Sequence, residues 1–289
     1  MKSPATWLSV LSAFLAWHVS TPLYAESVHQ AAISIVIDDV GNEYRSGMRA
    51  VNLPGPITYA VLPQSPFGQA LAKQAYRRGK EVMLHMPMDN QHGVPLGPGG
   101  LTSTLNQSEF VHKLESAIAW VPHISGVNNH MGSRLTQSNR QMQWLMGSIK
   151  RYPLYFLDSR TSAETVAEQV AQQHQIPTLR RDVFLDHDAS PTAIHQQFVR
   201  LLEVAKTQGT AVAIGHPYPA TLGYLETVLP QLDKLGIRLV SPSALLEIRQ
   251  ARAPALPSTP KPAAKIADGA AKTQCRQKRE LKVTRVFCG

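Results

Sequence analysis

Three histidines and a pair of adjacent aspartates stand in this chain where a parallel sheet would gather them. Ile33-Ser34-Ile35-Val36-Ile37 is mostly β-branched and uncharged, and it runs directly into Asp38-Asp39-Val40-Gly41. Val82-Met83-Leu84 ends at His85, Gly126-Val127-Asn128-Asn129 at His130, and Val212-Ala213-Ile214-Gly215 at His216. In α/β folds the apolar strand sits in the core while its carboxyl end meets solvent and ligand. Two neighbouring aspartates repel each other, so the pair costs stability unless a cation or a shared proton relieves it. Asp and His donors without cysteine suit a catalytic zinc or similar divalent ion with open positions. One aspartate would bind the ion and the other stay free. With a base alongside, water activated there is equipment for hydrolysing an amide or an ester. An Asp-Asp-x-Gly turn, or a histidine satisfied within a loop, would explain any one of these runs singly. Their repeated placement after successive strands favours one joint site.

The elements that must position these residues can be read from periodicity. Candidate strands are Ala32–Ile37, Ile57–Leu62, Glu81–His85, Gly126–Asn128, Leu154–Leu157, Thr178–Leu185, Ala211–Ile214 and Arg238–Val240. Asn106 and Glu109 stand in capping-box spacing before Phe110, Leu114, Ala117, Ile118 and Val121, which repeat at helical intervals. Thr161-x-x-Glu164 opens a helix to about His174, and Ser190-Pro191 opens another. Further helices are expected over Phe67–Arg78, Asn139–Lys150, Ala220–Leu235 and Pro242–Gln250. Strands alternating with helices predict an α/β fold with seven to eight parallel strands. Polar residues follow many strands rather than two adjacent ones. That favours closure into a (β/α) barrel, with an open doubly wound sheet as the alternative. Two further strand ends carry polar groups, Asp158-Ser159-Arg160 and Arg181-Asp182 through Asp186. Asp89–Ser103 is rich in Gly, Pro and Leu and reads as a long loop over the strand ends. The remaining histidines fall in the leader (His18), on helices (His112, His174, His195) or in loops (His29, His92, His123, His187), and take no role.

The formal net charge of the 289-residue chain is +9, and its location matters more than its size. Residues 251–289 hold nine Lys or Arg against Asp268 and Glu280, so the body is close to neutral and the basicity belongs to a tail. A body of nearly neutral net charge argues against a nucleic-acid partner. At the other end, Lys2, the mostly apolar Trp7–Val19 and the small Ala25 read as an export signal over residues 1–25. Export would place the protein in the periplasm or outside the cell. The main domain is then 26–250, followed by an Ala/Pro/Lys-rich linker over 251–273 and a small basic unit over 274–289. The two cysteines, Cys275 and Cys288, lie in that last unit, where an oxidising compartment would allow them to pair. The tail could hold an anionic envelope polymer or a membrane surface.

The ordered runs Ile37-Asp38-Asp39-Val40-Gly41, Leu84-His85-Met86-Pro87-Met88, Asn128-Asn129-His130-Met131-Gly132-Ser133, Phe156-Leu157-Asp158-Ser159-Arg160-Thr161, Arg181-Asp182-Val183-Phe184-Leu185-Asp186 and Ala213-Ile214-Gly215-His216-Pro217 resemble the divergent polysaccharide deacetylases. The resemblance spans about residues 30–248 and leaves out the leader and the tail. It implies a distorted (β/α) barrel of the glycoside hydrolase/deacetylase type, usually exported, acting on carbohydrate or peptidoglycan with a divalent metal, Zn²⁺ foremost. On the family pattern Asp38 is the base, Asp39 a metal ligand and His216 the general acid. The ordinary family takes two histidine ligands from one short motif. Here His85 is followed by Met86, Pro87, Met88 and Asp89, so His130 is assigned the second position. Asp158, Arg181 and Asp182 are expected to orient ligands or bind substrate, with structural salt bridging as an equal reading. The same divergence leaves a non-catalytic glycan-binding or scaffold protein of the envelope as the alternative to a deacetylase.

Overall fold

The computed structural model describes residues 31–252. The expected leader, the basic tail with the expected Cys275–Cys288 pairing and, apart from Ala251 and Arg252, the expected linker lie outside the described residues. Within them the chain alternates strand and helix. The strands are β1 (Ala31–Val40), β2 (Thr58–Val61), β3 (Val82–Met88), β4 (Ile124–Met131), β5 (Tyr155–Asp158), β6 (Thr178–Arg180), β7 (Val183–Phe184), β8 (Thr210–Gly215) and β9 (Ile237–Leu239). The helices are α1 (Tyr44–Val51), α2 (Gly68–Arg77), α3 (Gln107–Trp120), α4 (Asn139–Ile149), α5 (Ala167–Gln173), α6 (Pro191–Gln208), α7 (Pro219–Val228) and α8 (Pro242–Arg252). No helix among the described residues is long and apolar enough to cross a membrane.

Every strand pairing is parallel, in the order β6-β5-β4-β3-β2-β1-β8-β7. The sheet curls until its two ends meet in one segment. The stretch expected as a single strand, Thr178–Leu185, is divided: β6 pairs with β5 and β7 pairs with β8. The change of partner falls between adjacent residues, since the Arg181 amide donates to Asp158 O and the Asp182 amide to Val212 O, each at 2.9 Å. This irregular seam is the distortion in the barrel. β9 is a ninth strand that shares one edge of β1 with β2, pairing Ala31–Ile33 while β2 pairs the upper half.

Alternation along the strands makes two cores. Ile33, Ile35, Ile37, Leu84, Met86, Val127, Phe156, Ala211 and Ala213 face outward and pack under the helices. Ala32, Val36, Met83, Tyr155, Leu157, Leu179, Val212 and Ile214 fill the barrel interior, with Leu245 of α8 among them. Three helices differ from expectation. α1 follows β1 although its sequence is short and polar; Glu43 caps it by accepting from the Arg45 and Ser46 amides. α5 starts at Ala167, not Thr161, because the Thr161 hydroxyl is committed to Met131 O (2.7 Å). The helix expected over 220–235 stops at Val228 and continues as a 3₁₀ turn from Leu229, with Pro230 at its start.

Candidate active site

Strand parity brings four of the five principal residues into the barrel mouth. Asp38 follows Val36 and Ser34 inward, His85 follows Met83, His130 follows Asn128, and His216 follows Ile214 and Val212. Asp39 has the opposite parity and would point under the helices. Its backbone is left-handed, φ 57°, and this turn swings its carboxylate back among the histidines. Such a conformation is costly for a non-glycine residue and mildest for Asp and Asn.

The carboxylate of Asp39 is the centre of the group. Its Oδ1 lies 3.1 Å from His85 Nε2 and 2.8 Å from His130 Nδ1, and the two ring nitrogens lie 3.2 Å apart. Its Oδ2 lies 3.8 Å from His216 Nε2. Asp38 Oδ2 lies 3.6 Å from His85 Nε2. Ligand atoms of Asp39, His85 and His130 fall within 4.8 Å of one another, so these three residues form a group that could hold a metal ion.

Two observations test whether a cation fits. Asp39 Oδ1 is buried yet accepts no hydrogen bond, although two ring nitrogens crowd it. Neither ring nitrogen donates to this oxygen, although the two lie at hydrogen-bonding distance from each other, so all three atoms can face one point. Four donors about 2.1 Å from one zinc ion stand about 3.4 Å apart in a tetrahedron, close to the 2.8, 3.1 and 3.2 Å found here. The tautomer of His85 agrees. Asn128 Nδ2 donates to Asp38 Oδ1 at 2.8 Å, which turns the Asn128 carbonyl toward His85 Nδ1 at 2.7 Å. That oxygen can only accept, so Nδ1 carries a proton and Nε2 is left to face Asp39 and His130. The residues fit a divalent ion.

The two aspartates are driven apart electrostatically. Burial raises Asp38 above the ordinary carboxylate range, outweighing the pull of His85 and His216. Burial would raise Asp39 too, but the nearness of His130 and His85 overcomes it and holds that carboxyl far below the range. One member of the pair is thus a permanent anion and the other can take a proton. His85 loses basicity to burial and regains more from Asp38 and Asp39, so that without a cation it is pushed up to about 9.

His216 is fixed on three sides. Its Nδ1 donates to Asp186 Oδ1 (2.9 Å), while Asp186 Oδ2 accepts from the His216 amide (2.6 Å) and the Thr221 hydroxyl (2.8 Å). Its ring is stacked between Phe184 and Tyr218, with centroids 5.4 and 5.2 Å away. Burial lowers the basicity of this ring, and the Asp186, Asp38 and Asp39 carboxylates raise it by more. Nδ1 is occupied, so Nε2 is the nitrogen free to exchange a proton with a ligand.

The other three expected residues are placed differently. Asp158 has the parity of the outward-facing Phe156; it accepts from the Arg160 amide (2.8 Å) and the Thr165 hydroxyl (2.9 Å) and so ties down the loop before α5. Asp182 sits on the seam, accepting from the Val212 amide at 2.8 Å, with Arg249 at 3.7 Å. Arg181 donates to the carbonyls of Ser159 (2.6 Å) and Arg160 (2.7 Å) and lies 4.5 Å over the Phe184 ring, behind His216. Asn128 and Asp186, which make the closest polar contacts to the site histidines, were not among the expected site residues. Both share the inward parity of a neighbour, Asn128 with His130 and Asp186 with Phe184. The Asp89–Ser103 loop is pinned at its base by Asp89 and Ser103 (2.7 Å). Its Pro95–Pro98 portion lines a cleft of about 410 Å³ that starts at Asp39 and His130.

The chain is 38% identical over 214 residues to the uncharacterized protein YibQ of Escherichia coli, covering 74% of this chain and 67% of that one. It is 34% identical over 222 residues to an uncharacterized protein of Haemophilus influenzae, covering 76% and 79%. The fold matches the crystal structure of an uncharacterized protein from Agrobacterium tumefaciens with a TM-score of 0.72 at 22% identity, over 75% of this chain and 89% of that one. The family model for divergent polysaccharide deacetylase matches residues 35–246, which include every residue of the group around Asp39. This chain belongs to the divergent polysaccharide deacetylase family.

Proposed function

We propose that this protein is an exported, metal-dependent hydrolase that removes acetyl groups from N-acetylated envelope glycans. The single observation that carries the reading is the convergence of Asp39, His85 and His130 on one point, with Asp38 and His216 on either side of it. Family membership supports the substrate class.

Asp39, His85 and His130 would hold the cation, Zn²⁺ being the ion that this donor set suits. When bound, such an ion supplies a Lewis acid and lowers the pKa of a water molecule. The chain's own residues supply the proton transfers. Asp38, raised by burial, accepts the proton of the attacking water. Asn128 keeps that carboxylate aimed at the site. His216, oriented by Asp186, delivers a proton through Nε2 to the amine nitrogen as the acetyl C–N bond breaks. The products are acetate and a free amino sugar.

Export is proposed from the charged and apolar pattern of residues 1–25. The basic tail is proposed to hold an anionic envelope surface, an attraction that high salt would screen. The test of the reaction measures metal content and acetate release together, on N-acetylglucosamine oligomers and on peptidoglycan. About one ion per chain, with acetate release that Asp38→Ala abolishes, is the expected result. No acetate from either substrate after zinc reconstitution would overturn the proposal.

A further inference from the structure

Exposed aromatic rings follow strands that carry or adjoin the site. Tyr44, Phe67 and Tyr218 are 46%, 39% and 43% exposed, and they follow β1, β2 and β8, three neighbouring strands, at the end where Asp39 lies. Tyr218 is accounted for by its stack on His216. Tyr44 and Phe67 form a second pair, with centroids 5.7 Å apart and planes tilted by 59°. Burying aromatic surface is worth roughly 25 cal/mol per Å². A pair of exposed rings whose near neighbours in the chain, Asn42 and Pro66, line a cleft is therefore the kind of surface that takes a ligand.

The pair is preformed. The Phe67 amide donates to Gly41 O at 2.9 Å, joining the loop after β1 to the loop after β2. Gly41 has φ +137°, and a β-carbon there would overlap Ser65 Oγ. The two loops therefore approach as closely as they do because residue 41 has no side chain. Rings held in place before the ligand arrives lose little freedom on binding.

The cleft that begins at Asp39 and His130 reaches Asn42, two residues before Tyr44, and Pro66, immediately before Phe67. Apart from Asp39 and His130, none of its lining residues is ionisable; Asn42, Gln64 and Ser65 supply the polar groups and the rest are Pro, Leu and Gly. An anionic polymer would call for Arg or Lys along this path. An uncharged sugar chain calls for what is present. One face of a pyranose is a layer of C–H groups that lies on aromatic rings, and its rim of hydroxyl and acetamido groups pairs with side-chain amides.

We infer that Tyr44 and Phe67 form a stacking subsite for an additional sugar ring of an uncharged N-acetylated glycan, extending from Asp39 along the cleft past Asn42 and Pro66. The inference rests on the reaction proposed above, and it makes the protein selective for oligomers over short fragments.

The test is calorimetric binding of the N-acetylglucosamine hexamer and dimer to the zinc-loaded full chain. An Asp38→Asn background keeps the ligand from being consumed. Tyr44→Ala with Phe67→Ala should weaken the hexamer about tenfold and change the dimer by less than about twofold. Tyr44→Phe, which keeps the ring, should hold the hexamer within about twofold of the parent. Unchanged hexamer affinity in the double alanine variant, or an equal loss for both lengths, would overturn the subsite while leaving the proposed reaction standing. A parent that binds no hexamer would overturn the subsite and the proposed substrate together.

Discussion

Two sets of polar residues in or just after strands of this barrel do different work. Around β1, β3, β4 and β8, the side chains of Asp38, Asp39, His85, His130 and His216 face one another within 2.8 to 3.8 Å. Around β5 and the seam, Asp158, Arg181 and Asp182 spend their hydrogen bonds on backbone groups and a neighbouring hydroxyl. The residue types overlap. Parity and backbone conformation differ. Asp158 stands one residue beyond the inward Leu157 and so faces the helices, whereas Asp39 stands one residue beyond the inward Asp38 and is turned back by its left-handed φ. A strand-end acid is available for chemistry when its side chain enters the barrel mouth, not merely when it terminates a strand.

The largest effect should come from removing the residue on which the first set converges. Asp39→Ala should abolish stoichiometric zinc and cut acetate release by more than about 10³-fold, because two histidines alone leave the site short of a ligand. Metal analysis after dialysis reads this directly. Retained zinc would move the centre of the site away from Asp39 and break the comparison at its strongest point.

Asn128→Leu comes next. The buried amide bridges Asp38 and His85, and leucine leaves both without that partner. Outer partners of metal ligands are worth about 10- to 100-fold in metal affinity. Competition with a chelator should show zinc weakened to that extent, and ¹⁵N spectra of the histidine ring should show His85 losing its single tautomer. An unchanged affinity would mean that Asn128 serves the fold alone and belongs with the second set.

In that second set, Asp158→Ala should cost stability rather than metal. It strips the acceptor from the Arg160 amide and the Thr165 hydroxyl, a loss of about 1–3 kcal/mol. Thermal unfolding should record the loss while zinc affinity stays within about twofold.

The pH dependence of the cation-free protein should be of similar size. His85 folded, at about 9, is more basic than the ordinary histidine value of 6.5. Its contribution is therefore complete below 6.5 and is lost as the pH rises toward 9. The melting temperature of the chelated protein should fall by roughly 7–14 °C across that window and recover with zinc. A flat profile would mean that His85 does not gain its basicity from the two aspartates.

Much of this arrangement was legible in the chain. Alternation in Ile33-Ser34-Ile35-Val36-Ile37-Asp38 and in Val82-Met83-Leu84-His85 already assigns one face to the helices and the other to the barrel, and the asparagine–glutamate capping box of α3 formed as spaced. The site residues that alternation places inward came together. Asp39 was legible only through its neighbours Asp38 and Gly41, since nothing in a strand pattern predicts a left-handed residue that reverses parity. Asp158 shows the converse. Its outward parity with Phe156 could be read, but its position after a strand outweighed that signal. Asn128 and Asp186 carried only their inward parity as a signal, because their roles come from partners 43 and 30 residues away. The short helix α1 was hidden by its polar sequence, and the early start expected for α5 came from a threonine whose hydroxyl bonds to β4 instead.

The smallest effect sharpens the comparison most. Asp182→Asn removes a charge from the seam but keeps an oxygen for the Val212 amide, so the hydrogen bond survives. What is lost is the attraction to Arg249, 3.7 Å away and partly exposed, worth less than about 1 kcal/mol. Zinc affinity, kcat and KM should all stay within about twofold, because the carboxylate bonds to β8 beside the barrel and not to the group around Asp39. A tenfold or larger fall in kcat/KM, about 1.4 kcal/mol, would exceed anything the local contacts supply. It would require the charge of Asp182 to reach the reaction through Arg181 and Phe184 to His216, and the seam would then have to be counted as part of the site.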